Sequence, residues 1–172
     1  MKQPRPIIFV NGKLVTPEGV VEGTLRIADG MIASIGAGEA QPDDKVVDAK
    51  GKLVVPGIVD LGVFAVDKPA FHFGGISRAA LMPDQSPPLD LPSRVNYIAK
   101  SGKPDFWVHP LAAATRGLAG EELGEVALMR EAGARGIATG RSWIADSGVM
   151  LRVLSYAAML DMVVVAHAED GG

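Results

Sequence analysis

The chain has 172 residues, of which 48% are hydrophobic and 22% charged, with a formal charge of −3. This composition excludes the disordered and fibrous classes, and mild acidity without a Lys/Arg run argues against nucleic acid or an anionic membrane as the main partner. Because the chain lacks cysteine, a long apolar run and a signal-peptide pattern, we expect a cytoplasmic protein without disulfides or thiolate metal sites.

Residues 1–55 predict a small β-sandwich segment. The run "IIFVNGKLV" at 7–15 predicts two strands around an Asn-Gly turn. The run "GTLRIADGMIASIG" at 23–36 predicts a hairpin, because Asp-Gly between alternating segments supplies the positive-φ residues of a tight turn. Two more short strands are expected in "KVVDAKGKLVVPG" at 45–57.

Residues 56–172 alternate between predicted strands and predicted helices. The strands are expected in five runs, of which the first and last are apolar enough for burial on both faces of a parallel sheet. Their sequences are "IVDLGVF" at 58–64, "RAALMP" at 78–83, "DFWVHPLAAA" at 105–114, "ARGIAT" at 134–139 and "MVVVAHAED" at 162–170.

Three helices are expected between these strands. The first, at 91–102, is predicted to be capped near Ser93 and to end at Gly102. The second spans 120–133, with acidic residues in its first turn, and the third spans 146–160.

Strand–helix alternation of this kind predicts a parallel sheet. The sequence leaves open whether the sheet is doubly wound or belongs to a TIM-type barrel. Since a complete barrel needs about 250 residues, residues 56–172 would form about half of one, with roughly five strands.

Residues at the carboxyl ends of parallel strands are the expected place for chemistry in such folds. These positions contain two histidines and a few carboxylates, without a pair of closely spaced imidazoles. Because a metal site needs three or four converging donors, this pattern by itself does not predict one.

Four motifs, in this order and after a β-rich lead, resemble the N-terminal part of a dihydroorotase. They are "VVPGIVDLGV", "MPDQSPPLD", "TRGLAGEELGEVALMREAGA" and "VVVAHAEDGG". Dihydroorotases are cyclic-amide hydrolases of pyrimidine synthesis, in the amidohydrolase superfamily with allantoinases and hydantoinases. The resemblance implies a partial (β/α)8 barrel of the amidohydrolase kind at 56–172, preceded by the β-sandwich segment at 1–55.

The resemblance also implies a binuclear zinc site. In this chain, several of the positions that supply its ligands hold other residue types. Where the family has Asp-x-His-x-His-x-Arg, this sequence has Asp60, Gly62, Phe64 and Val66, so both imidazoles and the guanidinium are replaced. Glycine, phenylalanine and valine offer no metal ligand or substrate clamp. We therefore expect Gly62 and Phe64 to be unable to bind metal.

The remaining family positions are only partly kept. Asp84 stands at the position of a substrate-binding Asn, and Thr139 falls near that of the metal-bridging carboxylate. His167 alone matches a metal ligand. We interpret Asp60, Asp84 and Thr139 as a vestigial pocket, with no assigned catalytic residue and at most one metal site, at His167.

Other candidate residues are interpreted structurally. His109 is expected to be a structural histidine, and His72 to belong to a packing patch. Trp107 and Trp143 are expected in core or interface packing. Glu169 and Asp170 are expected to cap a following element.

The segment between Phe64 and Met82 is too short for the helix that the family places there. Either the first crossover is absent or a segment is missing from the sequence.

Two functions follow from the resemblance. The first is a non-catalytic dihydroorotase-like partner in pyrimidine biosynthesis, without a cofactor, which forms a homo-oligomer or associates with an aspartate transcarbamoylase-like protein. The alternative is a metal-dependent cyclic-amide hydrolase with a reduced or relocated site that uses His167, His109, Asp60 or Asp84. A third possibility is that the sequence is a fragment of a longer chain, since half a barrel leaves open sheet edges.

Overall fold

The computed structural model describes residues 5–169, so Asp170 lies outside the described residues. The chain divides into two compact units, Met1–Pro56 and Gly57–Gly172. Each unit contains one five-stranded sheet. Among the described helices, none combines the length and the apolar character that a membrane crossing requires.

The first unit is a mixed sheet built around its first strand. The strands are β1 Ile7–Thr16, β2 Gly19–Ala28, β3 Met31–Gly36, β4 Lys45–Asp48 and β5 Leu53–Val54. In this sheet, β1 pairs with β2 antiparallel on one side and with β4 and β5 in parallel on the other, while β3 pairs with β2. Ile8 and Leu14 are the buried apolar residues of β1.

The two turn predictions in this unit had opposite outcomes. The Asp29-Gly30 hairpin is confirmed: both residues have positive φ and join β2 to β3. The Asn-Gly turn is wrong, because β1 runs through it as one strand. Asn11, at φ 54°, lies where the register with β2 shifts, and its Nδ2 donates to Asp48 Oδ1 at 3.1 Å. A positive-φ residue within a strand produces a bulge instead of a hairpin when strand pairing continues on both sides of it.

The second unit has five parallel strands in the order of the sequence. This sequential order is the winding of a TIM-type barrel, whereas a doubly wound sheet reverses its strand order at a switch point. The strands are β6 Ile58–Val63, β7 Ile76–Leu81, β8 Trp107–Ala113, β9 Gly136–Ala138 and β10 Val163–Val165. The helices are α1 Lys68–Gly74, α2 Pro92–Ser101, α3 Val126–Glu131 and α4 Ser147–Met159.

The main core of this unit joins the strands to the helices. It includes Leu81 and Val108 from the sheet and Val95, Met129 and Val153 from α2, α3 and α4. A smaller buried cluster contains Met82, Leu111 and Ala138. The larger core of this unit therefore lies between the sheet and helices α2, α3 and α4.

The first crossover is present, as a helix of seven residues. Asp67 caps α1 by accepting from Ala70 N–H, and Gly75 ends it at φ 70°. Phe71 is buried, with its ring 5.1 Å from that of Phe106 in an edge-on contact. His72 is exposed, and its ring centre lies 5.9 Å from that of Phe73 in an edge-on contact, so the predicted packing patch is buried only at Phe71.

Two predicted helix starts differ from the structure. Helix α2 begins at Pro92 with Leu91 as its N-cap, because proline at the first position already has the helical φ. Helix α3 begins only at Val126, since Glu122 and Gly124 of its predicted first turns form backbone hydrogen bonds with the preceding segment instead. Arg116 N–H donates to the Glu122 carbonyl, and Gly124 N–H donates to the Ala114 carbonyl.

The two outer strands are more exposed than their apolar sequences predict. Leu61 of β6 is 74% exposed and Val163 of β10 is 65% exposed. Both strands lie at the ends of the five-stranded order, where one lateral neighbour is absent among the described strands. The expectation of burial on both faces is therefore wrong for these two strands.

Candidate functional site

The candidate site lies at the carboxyl ends of the parallel strands. Phe64 follows β6, Asp84 follows β7, Thr139 follows β9 and His167 follows β10. Four of the positions singled out in the sequence thus lie together at the carboxyl end of the sheet. The contacts of these residues decide what this end of the sheet can bind.

Asp60 is engaged within its own strand segment. Its Oδ1 accepts from Gly62 N–H at 3.0 Å, across two residues of β6. A carboxylate that accepts a hydrogen bond from a nearby backbone N–H in this way has a structural role that needs no metal.

Phe64 forms the centre of a contact between three strand ends. The guanidinium carbon of Arg141 lies 4.0 Å from the centre of the Phe64 ring. Gln85 Nε2 donates to the carbonyl oxygens of Phe64 and Met82, at 3.1 and 3.0 Å. A cation over an aromatic face is attracted by the ring quadrupole, so Phe64 holds the Arg141 guanidinium against its ring.

Asp84 fixes the backbone that follows β9. Its Oδ1 accepts from Arg141 N–H at 2.8 Å. Gly140 has φ +77°, and a Cβ at this position would lie 2.7 Å from Asp84 Oδ1, so only glycine permits the approach. Asp84 Oδ2 is buried without a hydrogen-bond partner among the residues of the described chain.

Thr139 and His167 are joined through the backbone. Thr139 is 4% exposed, and its Oγ1 accepts from His167 N–H at 2.9 Å. The His167 imidazole lies outside this bond, 45% exposed, with its Nε2 3.4 Å from Glu169 Oε2. The structure therefore brings the two residues together without directing the imidazole toward Thr139 Oγ1.

His109 is separate from these strand-end contacts. Its Nε2 lies 3.4 Å from Arg78 Nη1 on the neighbouring strand. Burial lowers the pKa of His109, and the positive charges of Arg78, Arg135 and Lys103 lower it further. A neutral imidazole among cations fits the structural role predicted for this residue.

The residues at this edge do not fit the zinc centre that the resemblance implies. Gly62 has no donor atom, the Phe64 ring faces Arg141, and the Thr139 hydroxyl already accepts a backbone N–H. Across residues 5–169, no group of three or more His, Asp or Glu side chains is placed to hold a metal ion. We therefore assign no chemical step to a metal here.

Two residues of the site were not singled out from the sequence. Arg141 and Gln85 both stand just after strands, but nothing in their spacing indicated that they would meet at Phe64. The available signal was the aromatic residue in place of a histidine, which creates a surface for a cation.

Comparisons with known proteins agree on the family. A family model described as "Dihydro-orotase-like" matches residues 51–172. Dihydroorotases of Pelotomaculum thermopropionicum and of a Geobacillus species are 37% and 34% identical to this chain over 95% of its length. The chain spans 42% of the length of each of these relatives.

Solved structures show the same fold. An L-hydantoinase from Arthrobacter aurescens superposes with a TM-score of 0.76 at 24% identity, over 97% of this chain and 41% of the other. A dihydroorotase superposes with a TM-score of 0.64 at 15% identity, over 97% of this chain and 52% of the other. The predicted partial barrel with a separate β segment before it is thereby confirmed. On the family match and the identity to its relatives, this chain belongs to the dihydroorotase-like family.

Proposed function

We propose that this chain is a non-catalytic member of its family that acts as a structural partner in pyrimidine biosynthesis. The observation that supports the proposal most is the Phe64–Arg141 contact, which occupies a position where a metal ligand is expected. Without a metal or the substrate-clamping arginine, neither charge stabilisation nor positioning of a dihydroorotate carboxylate has an evident source.

The open sheet edges support a role in association. Strands β6 and β10 end the described sheet, and both expose apolar side chains. An unpaired strand edge offers a row of free N–H and C=O groups to another polypeptide. The proposed partners are a second copy of the chain or an aspartate transcarbamoylase-like protein.

The alternative is a cyclic-amide hydrolase with a reduced metal site. The names of the curated relatives favour it, since they are dihydroorotases at up to 37% identity. The contacts of the candidate ligands favour it less. His109 faces Arg78, and the His167 imidazole faces Glu169 near the surface.

An assay of dihydroorotate hydrolysis with added zinc separates the two functions. We expect no turnover above a control without protein. The matched variants are His167→Ala and His72→Ala, because both side chains are exposed but only His167 follows a strand of the site. Turnover that His167→Ala abolishes and His72→Ala preserves would contradict the non-catalytic proposal.

A further inference from the structure

Three cations that are distant in the sequence meet at the amino-terminal ends of β7 to β9. Arg78 lies near the start of β7, Lys103 lies in the segment between α2 and β8, and Arg135 immediately precedes β9. This end of the sheet is opposite to the candidate site. The sequence has no run of basic residues that would predict this group of cations, because the parallel strands bring the three residues to the same end of the sheet.

Trp107 and His109 of β8 contact two of these cations, Arg78 and Lys103. The Trp107 ring centre lies 4.4 Å from Lys103 Nζ and 5.5 Å from the guanidinium carbon of Arg78. The same guanidinium reaches His109 Nε2 at 3.4 Å. Trp107 is 43% exposed, so the group is open to solvent beside an aromatic surface. We call Arg78, Lys103, Arg135, Trp107 and His109 the basic cluster.

The cations of the basic cluster lack a carboxylate partner within residues 5–169. The ion pairs of these residues join other side chains, and none includes Arg78, Lys103 or Arg135. Asp105, two residues after Lys103, instead lines a separate cleft of about 500 Å³ with Lys68 and His72.

The lowered pKa of His109 agrees with this uncompensated charge. Burial is the largest cause of the lowered pKa, and the positive charges of Arg78, Arg135 and Lys103 are the next causes. Like charges held close together repel, and a bound anion would relieve that repulsion. The arginine fork also matches the geometry of a phosphate, to which it can donate two parallel hydrogen bonds.

We propose that the basic cluster binds the phosphate group of a small molecule, with Arg78 and Lys103 as its principal contacts. Trp107 supplies apolar surface for the part of the ligand that is attached to the phosphate. This site is independent of the proposed non-catalytic function, because it involves none of Phe64, Asp84, Thr139 and His167, and His109 lies within β8 and not at its carboxyl end.

The test is a titration of the whole chain with inorganic phosphate at fixed pH and ionic strength, followed by NMR of the histidine side chains. The three histidines of the chain provide internal references, because His72 and His167 lie outside the basic cluster. We expect a saturable shift of the His109 signal alone. In a second series over pH, with and without saturating phosphate, we expect the pKa of His109 to rise when phosphate is bound. Acetate at the same ionic strength is expected to have a much weaker effect.

Charge-neutralising variants give the second part of the test. Arg78→Gln and Lys103→Gln are each expected to weaken phosphate binding by about tenfold, the effect of losing one charge-assisted contact. Arg152→Gln, which removes an exposed charge from α4, is the matched control and should bind as the unaltered chain does. Circular dichroism verifies the fold of each variant.

Three results would overturn the phosphate site. They are a His109 signal that does not saturate, an equal effect of acetate, and unchanged phosphate affinity in both cluster variants.

Discussion

At the scale of single residues, the candidate site is held together by contacts that need no ion. Phe64 receives the Arg141 guanidinium on its face, and Asp84 accepts the backbone N–H of the same residue. Exposed cation–π pairs contribute about 0.5–1 kcal/mol, and hydrogen bonds to charged groups contribute about 1.5–3 kcal/mol. These contacts stabilise one arrangement of the loop after β9.

Thr139 gives the first prediction. Thr139→Val keeps the shape of the side chain but removes the oxygen that accepts His167 N–H. Because the bond is partly buried, we expect the free energy of unfolding to fall by about 1 kcal/mol. Amide hydrogen exchange at His167 should become faster.

Thr16→Val is the control for this substitution, since the Thr16 hydroxyl bonds an exposed carbonyl in the other unit. Unchanged exchange at His167 in Thr139→Val would show that the bond does not hold the end of β10.

At the scale of elements, the sequence predicted those features that local chemistry determines. Asp29-Gly30 formed the expected hairpin because its positive-φ residues stand between two alternating segments. Asn11-Gly12 has the same local signal but lies inside a strand, since pairing with β2, β4 and β5 on both sides of it makes a bulge within β1. Tertiary pairing thus overrode the turn propensity of one of two similar dipeptides.

The candidate site was predictable to a similar degree. The strand-end rule placed Asp84, Thr139 and His167 at one edge, since parallel strands end on the same side. Their side-chain partners were not predictable, because the Arg141–Phe64 and Asp84–Arg141 contacts depend on how three separate loops pack. Sequence spacing holds no information on such contacts.

Helix α4 gives the second prediction. Asp146 Oδ1 accepts from Gly148 N–H and Val149 N–H, at 2.7 and 3.1 Å, and so caps the longest helix described. Asp146→Ala leaves both donors without this acceptor, and we expect it to lower the free energy of unfolding by about 1 kcal/mol.

Asp146→Asn is the matched variant, because its amide oxygen can accept the same bonds. Denaturant titration of the two variants measures the difference. Equal stability of the Ala and Asn variants would show that the cap is not needed.

At the scale of the whole molecule, the open sheet edges give the third prediction. Leu61 and Val163 are exposed on the two outer strands, and burial of apolar area contributes about 25 cal/mol per Å². We expect the chain to associate at low micromolar concentration, measured by sedimentation velocity on protein that is folded by circular dichroism.

Charged variants locate the contact. Leu61→Lys and Val163→Lys should shift the sedimentation profile toward the monomer, whereas Tyr97→Lys, on the exposed side of α2, should not. A stable monomer for the unaltered chain would contradict the proposal of association through these edges.

We expect that this member of the dihydroorotase-like family does not hold a binuclear zinc centre. Elemental analysis of the chain, purified without chelator and then equilibrated with zinc and desalted, tests it most directly. With Gly62, Phe64 and Thr139 at the implied ligand positions, we expect less than one zinc ion to be retained per chain. Two zinc ions per chain, lost on His167→Ala and kept on His72→Ala, would contradict it.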